Sequence, residues 1–436
     1  WAGPTEQFTA EGQFEIQKRI EPLFEKVKLE YAKFGIFDGT EKIQLSKRAL
    51  AFMVSELFKY DFSKTEMDVK GAAYQEIVGN NLRGDKGQFF TPRCAIDLMV
   101  EIISPKENES VLDSSCGTGG FLVSALKHVE WDIRREVCKD ERFPTDGEWK
   151  IIHERLAQYA KDKVFGADFD PDLVKATQMN MVMGANEMAN VHHMNSIEFP
   201  FGYLPGVSKF KDKAQLGTLD IVLTNPPFGA DIPVTEEHIL AQYELAEQWD
   251  KTDSGTFRKT GKKKTSVAPE VLFIERCVKW VKPGGRIGIV LPDGILSNPG
   301  DEYIRSWIMK NCWVLASINL PVEAFIVEAN VNIQTTLLFL KRKTQSEIDA
   351  EDLLGPKEYP VFMAVSEKVG KDRKGNVIYK RHPDGEEIWV TQKENEQIRV
   401  NGKLVTRVLS RKKRIIENDL PLIVQNYRKF LDGKLG

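Results

Sequence analysis

The fold is decided by Ser110-Val111-Leu112-Asp113-Ser114-Ser115-Cys116-Gly117-Thr118-Gly119-Gly120-Phe121, which predicts a short buried strand, a glycine-rich turn and the start of a helix. Glycines in such a turn let a ligand approach the backbone closely, and the helix that follows offers N–H groups. The dinucleotide fingerprint Gly-x-Gly-x-x-Gly is not met, because the sixth position from Gly117 is Leu122. The turn therefore favours a nucleoside ligand without phosphates, with Asp113 as the acceptor for a hydroxyl or cationic group.

Strands and helices alternate around that stretch from about residue 86 onward. Continuous apolar runs predict further strands at 164–166, 221–223, 287–291, 314–318 and 336–340. Helices are predicted between them at 94–103, 121–129, 171–184 and 269–281. This alternation predicts an α/β fold with a mostly parallel sheet covered on both faces. The segment 129–161 is expected to be a partly helical insertion that faces the surface.

Three domains are predicted from the change of pattern along the chain. Residues 1–85 form an N-terminal helical domain, with helical periodicity over 14–34 and 45–58 and a third helix at 69–78. Residues 86–345 carry the α/β pattern. Residues 346–436 form a C-terminal extension, in which 372–376 and 383–387 read as turns between short strands before a final helix.

Composition excludes several classes of protein. With 42% hydrophobic and 29% charged residues, the 436-residue chain has an ordinary globular balance, and no apolar run is long enough to cross a bilayer. Five widely spaced cysteines without a C-x-x-C pair argue for reduced thiols and against a zinc site. We therefore expect a cytoplasmic protein with no membrane contact and no metal.

Nucleic-acid contacts must come from local basic patches, because the formal net charge of the chain is −3. The segment 251–264 holds six Lys and Arg against one acid, Asp253, a net charge of +5. We expect it to contact DNA through Arg258, Lys259, Lys262, Lys263 and Lys264. A second basic patch, with no function assigned from the sequence, runs from Lys403 to Arg414.

The tetrapeptide Asn225-Pro226-Pro227-Phe228 directly follows the predicted strand 219–224. Prolines lack an N–H and have a fixed φ, so the chain leaves the sheet with bare carbonyls. The Asn225 side-chain oxygen and the Pro226 carbonyl would form a rigid rim of acceptors beside an aromatic ring. This rim suits a flat ring with an exocyclic amine, such as adenine, and we expect it to face the ligand of the glycine turn. The alternative is a strand end whose Phe228 packs into the core.

Further ligand contacts are predicted at two other strand ends. Asp168 ends the second strand, where α/β folds bind ribose hydroxyls. A helix cap is the alternative role, which Asp170 fills better. Asn195, after the third strand, is a candidate for the adenine edge of the ligand, since an amide both donates and accepts.

The segment Gln88-Phe89-Phe90-Thr91-Pro92-Arg93 precedes the predicted helix 94–103. Thr91 is predicted to be the N-cap of this helix and Pro92 a first-turn residue. The two adjacent phenylalanines would form a lid over a nucleoside.

Together these motifs resemble the gamma class of DNA adenine-N6 methyltransferases. The resemblance lies in the order Gly-Gln-Phe-Phe-Thr-Pro (87–92), Asp-x-x-Cys-Gly-Thr-Gly-Gly-Phe (113–121), Gly-Ala-Asp (166–168) and Asn-Pro-Pro-Phe (225–228). More narrowly, the chain is similar to the modification subunit of type I restriction–modification systems over about residues 45–345. The narrower likeness includes Asp68-x-x-Gly71-x-x-Tyr74, Lys282–Arg286, Leu291–Gly294 and Leu320-Pro321. Ser114, Asp168 and Asn195 depart from the residues common in the family.

The resemblance implies a Rossmann-like methyltransferase domain that uses S-adenosylmethionine. Gln88 to Arg93 would hold the methionine part of the cofactor, and Asp168 its ribose. The cofactor turn would be lined by Asp113, Gly117, Thr118, Gly119 and Gly120. Asn225, Pro226, Pro227 and Phe228 would hold a flipped-out adenine. The implied partners are double-stranded DNA, a specificity subunit, a restriction–translocase subunit and a second modification subunit.

Two other functions stay open at this point. Asn-Pro-Pro-aromatic also suits methylation of RNA adenine or of a protein glutamine. A non-catalytic DNA-binding assembly subunit could retain the same fold. The basic segment 251–264 favours DNA over a peptide, and the intact Asn225, Gly117 and Gly119 favour an enzyme.

Overall fold

The computed structural model describes residues 2–3, 5–32, 37, 39–57, 91–138, 144–185, 187–229, 232–329, 332–400 and 403–434. The helices are α1 (Ala10–Tyr31), α2 (Lys47–Leu57), α3 (Arg93–Ile103), α4 (Gly120–Val137), α5 (Asp146–Lys163), α6 (Pro171–Ala185), α7 (Gly206–Lys211), α8 (Glu237–Leu240), α9 (Pro269–Trp280), α10 (Gly294–Ser297), α11 (Glu302–Asn311), α12 (Glu323–Ala329), α13 (Gln345–Leu354) and α14 (Leu420–Leu431). The strands are β1 (Val111–Asp113), β2 (Val164–Asp168), β3 (Asn190–His193), β4 (Leu219–Thr224), β5 (Glu247–Lys251), β6 (Phe257–Lys263), β7 (Val281–Pro292), β8 (Cys312–Leu320), β9 (Thr335–Arg342), β10 (Phe362–Val365), β11 (Trp389–Val400) and β12 (Lys403–Arg414).

The chain divides into two compact units. The first contains Trp1–Gly87 and Pro105–Gln215, and the second contains Gln88–Ser104 and Leu216–Gly436. The division into 1–85, 86–345 and 346–436 stays a prediction. The helices expected in the first 58 residues are confirmed by α1 and α2. The third expected helix, 69–78, and the motif 68–74 lie outside the described residues.

The first unit is built on three parallel strands. β1 pairs with β2, with Asp113 opposite Gly166, and β2 pairs with β3, with Asp168 opposite His193. The carboxyl ends of β1 and β2 therefore lie side by side, which brings the glycine turn next to Asp168.

The helical part of the prediction for 129–161 is confirmed, but the prediction that this segment faces the surface is wrong. Helix α4 continues to Val137, and α5 buries Ile152, Leu156 and Ala160 in an apolar cluster with β2 and α6. These three residues are four positions apart, so they form one stripe along the helix. The many charged residues between them mask this stripe in the sequence. Thr145 and Glu148 begin α5 with a capping box.

The second unit contains mixed pairing. β4 pairs in parallel with β7, and β8 pairs in parallel with β10. β9 is antiparallel to both β7 and β8. Each predicted strand from 164–166 to 336–340 is present, as are the helices predicted at 94–103, 121–129, 171–184 and 269–281. The predicted α/β class with a mostly parallel sheet is confirmed.

Two antiparallel hairpins extend the second unit. β5 and β6 form a hairpin within the long connection after residue 229, and β11 and β12 pair over twelve residues each. The turns predicted at 372–376 and 383–387 are confirmed. Asp372 Oδ1 accepts from Asn376 N at 2.8 Å in the first, and an antiparallel backbone β-bridge joins Arg381 to Glu387 around the second. In the described part of the chain, no helix is long and apolar enough to cross a membrane.

Candidate functional site

The glycine turn after β1 has a backbone that requires glycine. Gly117 and Gly119 have φ values of +53° and +85°, in the left-handed region that side chains disfavour. A Cβ at Gly119 would lie 2.9 Å from Thr177 Cγ2, whereas a Cβ at Gly117 would meet nothing within 4 Å. Gly117 therefore offers open space to a ligand, and Gly119 allows α6 to pack closely.

Asp168 holds this turn through its carboxylate. Oδ2 accepts from Gly117 N at 2.9 Å, and Oδ1 accepts from Asp170 N at 2.9 Å. Burial raises the pKa of Asp168 to about 6 despite these bonds, which favour the charged form. Asp170 Oδ1 accepts from Asp172 N at 2.8 Å, so Asp170 caps α6 as expected. The ribose role of Asp168 stays a prediction, and its role in shaping the turn was not foreseen.

Two side chains of α6 complete the support of the turn. Thr177 Oγ1 donates to Gly117 O at 2.6 Å, and Asn180 Nδ2 donates to Thr118 O at 3.0 Å. Both residues are buried. Sequence reasoning missed them, although two polar residues three positions apart on an otherwise buried helix face are a usable signal.

The other predicted cofactor residues lie around the same strand ends. Asp113 is buried, and its Oδ1 accepts from Ser115 N at 3.1 Å. Asn195 is half-buried, and its Oδ1 accepts from Ile197 N at 3.3 Å. Phe169, which sequence reasoning missed, directly follows Asp168 and leaves 63% of its surface exposed. An exposed aromatic ring beside the residue expected to bind ribose can stack on a nucleobase.

Cys116 does not supply a nucleophile. Burial raises the pKa of its thiol well above the ordinary value, and the nearby Asp168 and Asp113 raise it further. The thiol is therefore protonated at neutral pH.

Asn225 stands at the carboxyl end of β4 in the second unit. It is buried, and its Nδ2 donates to Thr91 Oγ1 at 3.0 Å. In this arrangement Nδ2 is the amide atom that donates, and Oδ1 is the acceptor of the amide.

The prediction that Thr91 caps α3 is wrong. The residue preceding α3 is Pro92, with no side-chain cap bond, and α3 begins at Arg93. The Thr91 hydroxyl instead receives the Asn225 amide, which lies 134 positions away in the chain. Arg93 Nε donates to Asp97 Oδ1 at 3.0 Å, one turn further along α3. Gln88, Phe89 and Phe90 lie outside the described residues.

The rest of the tetrapeptide differs in exposure. Pro226 is buried and Pro227 is exposed. Phe228 is only 5% exposed, as expected if its ring packs into the core. Gly229 N donates to Glu270 Oε2 at 3.3 Å, and burial raises the pKa of Glu270. Sequence reasoning did not identify Glu270, which ties the chain after Phe228 to the first turn of α9.

The basic segment 251–264 is largely paired within the molecule. Lys251, Lys259 and Lys263 form ion pairs with Glu302, Glu244 and Glu247. Lys264 Nζ donates to Tyr303 Oη at 2.7 Å, and burial lowers the pKa of this lysine. Arg258 and Lys262 are exposed, and within the described residues neither forms an ion pair.

Comparison with known proteins places the chain in a family. The family model described as N-6 DNA Methylase matches residues 65–432, so the chain belongs to the N-6 DNA methylase family. The resemblance to adenine-N6 methyltransferases found in the sequence is thereby confirmed.

The chain is similar to methylase subunits of type I restriction enzymes. It is 27% identical to the EcoEI methylase subunit of Escherichia coli over 66% of this chain and 50% of that protein. It is 24% identical to the MjaIX methylase subunit of Methanocaldococcus jannaschii over 89% of this chain and 54% of that protein. The chain thus spans about half the length of these relatives.

Among solved structures, the chain resembles the ATP-dependent type ISP restriction-modification enzyme LlaBIII bound to DNA, with a TM-score of 0.51. The likeness covers 78% of this chain and 24% of that one at 12% identity, and it concerns the fold alone.

Proposed function

We propose that this chain transfers the methyl group of S-adenosylmethionine to the N6 amine of a flipped-out adenine in DNA. It would do so as the modification subunit of a type I restriction–modification complex. The observation that carries the proposal is the Asn225 amide at the end of β4, oriented by Thr91 within an Asn-Pro-Pro-Phe tetrapeptide. Membership of the N-6 DNA methylase family supports the same conclusion.

The glycine turn fits the nucleoside part of S-adenosylmethionine. The open space at Gly117 admits a ligand against the backbone, and neither a lysine nor a phosphate loop accompanies the turn. In the proposal, Asp168 binds the ribose and Phe169 stacks on the adenine ring of the cofactor. Asp113, Thr118, Gly119, Gly120 and Asn195 line the remainder of the turn, and Gln88 to Arg93 hold the methionine part. When bound, the cofactor supplies an electrophilic methyl group on a sulfonium.

The tetrapeptide acts on the target amine by position and charge. The lone pair of an adenine amine is delocalised into the ring, so transfer depends on orientation and electrostatics more than on a strong base. Asn225 Oδ1 and the Pro226 carbonyl each accept one amine hydrogen, which directs the nitrogen lone pair away from the ring plane. With Nδ2 bonded to Thr91, Oδ1 is the amide atom that accepts from the amine.

Methyl transfer requires the amine nitrogen and the sulfonium methyl group to meet. The proposal therefore requires the turn and the tetrapeptide to serve one pair of ligands, which stays a prediction. No covalent intermediate is needed, in agreement with the protonated thiol of Cys116.

Phe228 would stack on the target base. Such stacking contributes roughly 1–3 kcal/mol, which offsets part of the few kcal/mol that base flipping costs. Since the ring is buried in this structure, the proposal requires Phe228 to become uncovered when the base enters.

DNA contacts of the β5–β6 hairpin would come first from Arg258 and Lys262, because both are exposed. Lys259, Lys263 and Lys264 would join them only on leaving Glu244, Glu247 and Tyr303. In the proposed assembly a separate specificity subunit reads the sequence. A restriction–translocase subunit and a second modification subunit complete the cytoplasmic complex.

The experiment is methyl transfer from labelled S-adenosylmethionine to duplex DNA, to RNA and to protein in parallel reactions, with and without the specificity protein, followed by analysis of the labelled products. Label in N6-methyladenine of DNA supports the proposal. Label in RNA or in a protein glutamine overturns the substrate assignment. Absence of transfer and of cofactor binding overturns the enzymatic role and supports a non-catalytic assembly subunit.

A further inference from the structure

We propose that the hairpin of β11 and β12, here called the ribbon, is a DNA-binding arm whose cations contact backbone phosphates of the substrate duplex. That the molecule bound by the ribbon is DNA rests on the proposed function. The basic patch that the sequence left without a role lies on this ribbon.

The ribbon has the size of a groove-binding element. Its two strands pair without a register break from Trp389 opposite Arg414 to Val400 opposite Lys403. Twelve residues of β-strand span about 40 Å, somewhat more than one helical turn of duplex DNA at about 34–36 Å. A two-stranded ribbon is also narrow enough for the major groove.

Both faces of the ribbon are uncovered near its base. Neighbouring residues of a strand point to opposite faces, and Thr391, Gln392, Arg411 and Lys412 are all exposed. Neither strand makes an extensive contact with another helix or strand of the described chain. The described base of the ribbon therefore does not cover a core.

The ribbon carries a strong excess of positive charge. Residues 389–414 contain eight Lys and Arg and two Glu, a net charge of +6 in a chain whose net charge is −3. The strand β12 contains no acid and carries Lys403, Arg407, Arg411, Lys412, Lys413 and Arg414. Like charges this close together repel one another, and a bound polyanion relieves that repulsion.

Protection of sheet edges explains the charges less well. Charged side chains on an exposed edge prevent strand addition by other molecules. Charges of either sign serve that purpose, and β11 does contain both signs, with Glu394 and Glu396 beside Lys393 and Arg399. The purely cationic β12 goes beyond what protection needs.

The base of the ribbon is braced. The Arg414 guanidinium lies 3.8 Å from the centre of the Tyr379 ring and donates to Glu387 Oε2 at 3.3 Å. Ile415 N donates to Ile388 O at 3.0 Å, and Lys380 N donates to Ile415 O at 2.8 Å. Arg414 thus has a structural partner set, and the phosphate contacts fall to the cations further along the ribbon.

The β5–β6 hairpin is the other basic hairpin of the chain. In the β5–β6 hairpin three lysines are already neutralised by Glu302, Glu244 and Glu247. On β12, Lys412 has no ion pair among the described residues. Both hairpins therefore carry exposed cations, and Lys412 is one of those on the ribbon.

The test is the salt dependence of DNA binding by the whole chain. It is measured by the fluorescence anisotropy of a labelled duplex over about 50–200 mM salt. Arg411→Gln with Lys412→Gln is expected to reduce the slope of log affinity against log salt by about 1–2, since each phosphate contact contributes about 0.9. The matched control, Lys150→Gln with Lys161→Gln, removes two exposed cations from α5 and should leave the slope unchanged.

A gain-of-charge variant guards against misfolding as an explanation. Thr391 is exposed and lies opposite Lys412, so Thr391→Lys should steepen the slope by up to about 1. Thermal melting of each variant should match that of the wild type.

The outcomes separate this inference from the proposed function. Unchanged slopes in both ribbon variants overturn the arm, even where the protein methylates DNA. A reduced slope in the double variant together with a complete lack of methyl transfer supports the arm and contradicts the enzymatic proposal. A loss in the α5 control equal to that in the ribbon variant also overturns the arm, because the effect would then be one of net charge.

Discussion

The glycine turn and the Asn-Pro-Pro-Phe rim are held in different ways. The turn is supported by Asp168, Thr177 and Asn180, each through a hydrogen bond to a backbone group of residues 117–118. At the rim, the bond from Asn225 Nδ2 to Thr91 Oγ1 sets the orientation of one side-chain amide. Substitutions in the glycine turn are therefore expected to lower cofactor affinity and the stability of the fold. Substitutions at the rim are expected to lower the rate of methyl transfer.

The largest effect is expected from Asn225→Ala. Removing an oriented polar group from the proposed methyl-transfer site should lower kcat about 100- to 1000-fold, by analogy with roughly 2.7–4 kcal/mol for one oxyanion-hole donor. Affinity for S-adenosylmethionine should be unchanged. Single-turnover kinetics and calorimetric titration measure the two quantities. Asn225→Asp, which keeps an acceptor oxygen, should retain more activity than the alanine variant, and equal losses would count against the acceptor role.

Gly119→Ala is expected to affect the glycine turn. A left-handed φ costs a side chain roughly 1–2 kcal/mol, and the new Cβ would also press on Thr177, which is held by its bond to Gly117 O. Stability in a denaturant titration should fall by about 2 kcal/mol, and cofactor binding should weaken.

Gly147→Ala is the matched control for this change. Gly147 lies in the first turn of α5 with nothing within 4 Å of its Cβ position. Alanine there should be neutral or stabilising by up to about 1 kcal/mol. An equal loss of stability in both variants would contradict the account of the turn.

The ionisation of Asp168 should make cofactor affinity depend on pH. Its pKa in the folded chain is about 6, against an ordinary value of 3.8. The folded state thus favours the protonated form, so this group makes the fold less stable as pH rises from about 4 through 6. In the proposed site the carboxylate of Asp168 binds the ribose, so affinity for the cofactor should instead rise about tenfold between pH 5 and 7. Asp168→Asn should bind more weakly with little change across this range, and a variant that keeps the wild-type pH profile would exclude Asp168 as its source.

The smallest expected effect comes from Thr91→Val. Loss of one neutral hydrogen bond corresponds to about 1 kcal/mol, or roughly fivefold in kcat. Thr91→Ser keeps the hydroxyl and should restore turnover. If Thr91 serves the methionine part of the cofactor, the valine variant will instead weaken cofactor binding, and its kcat will stay near that of the wild type.

The sequence allowed prediction of those features that depend on local pattern. The strand–turn–helix around Gly117 and the strand that ends just before Asn225 both follow from apolar runs broken by glycine or proline. The partner of Asn225 could not be found in this way, because Thr91 lies 134 positions away and helix capping already gave it an adequate role. The same limit applies to the basic segment 251–264, since Glu244 and Glu302 neutralise its lysines through tertiary contacts. The burial of α5 was missed because its apolar stripe is narrow among charged residues.

The central claim is that Asn225 serves the methyl transfer and not the binding of the cofactor. The most direct measurement is a parallel determination of S-adenosylmethionine affinity and single-turnover methylation of DNA in the wild type, Asn225→Ala and Gly119→Ala. Asn225→Ala is expected to keep wild-type affinity and to transfer the methyl group about 100- to 1000-fold more slowly, whereas Gly119→Ala is expected to bind the cofactor more weakly. Loss of cofactor binding in Asn225→Ala, or transfer at the wild-type rate, would contradict the central claim.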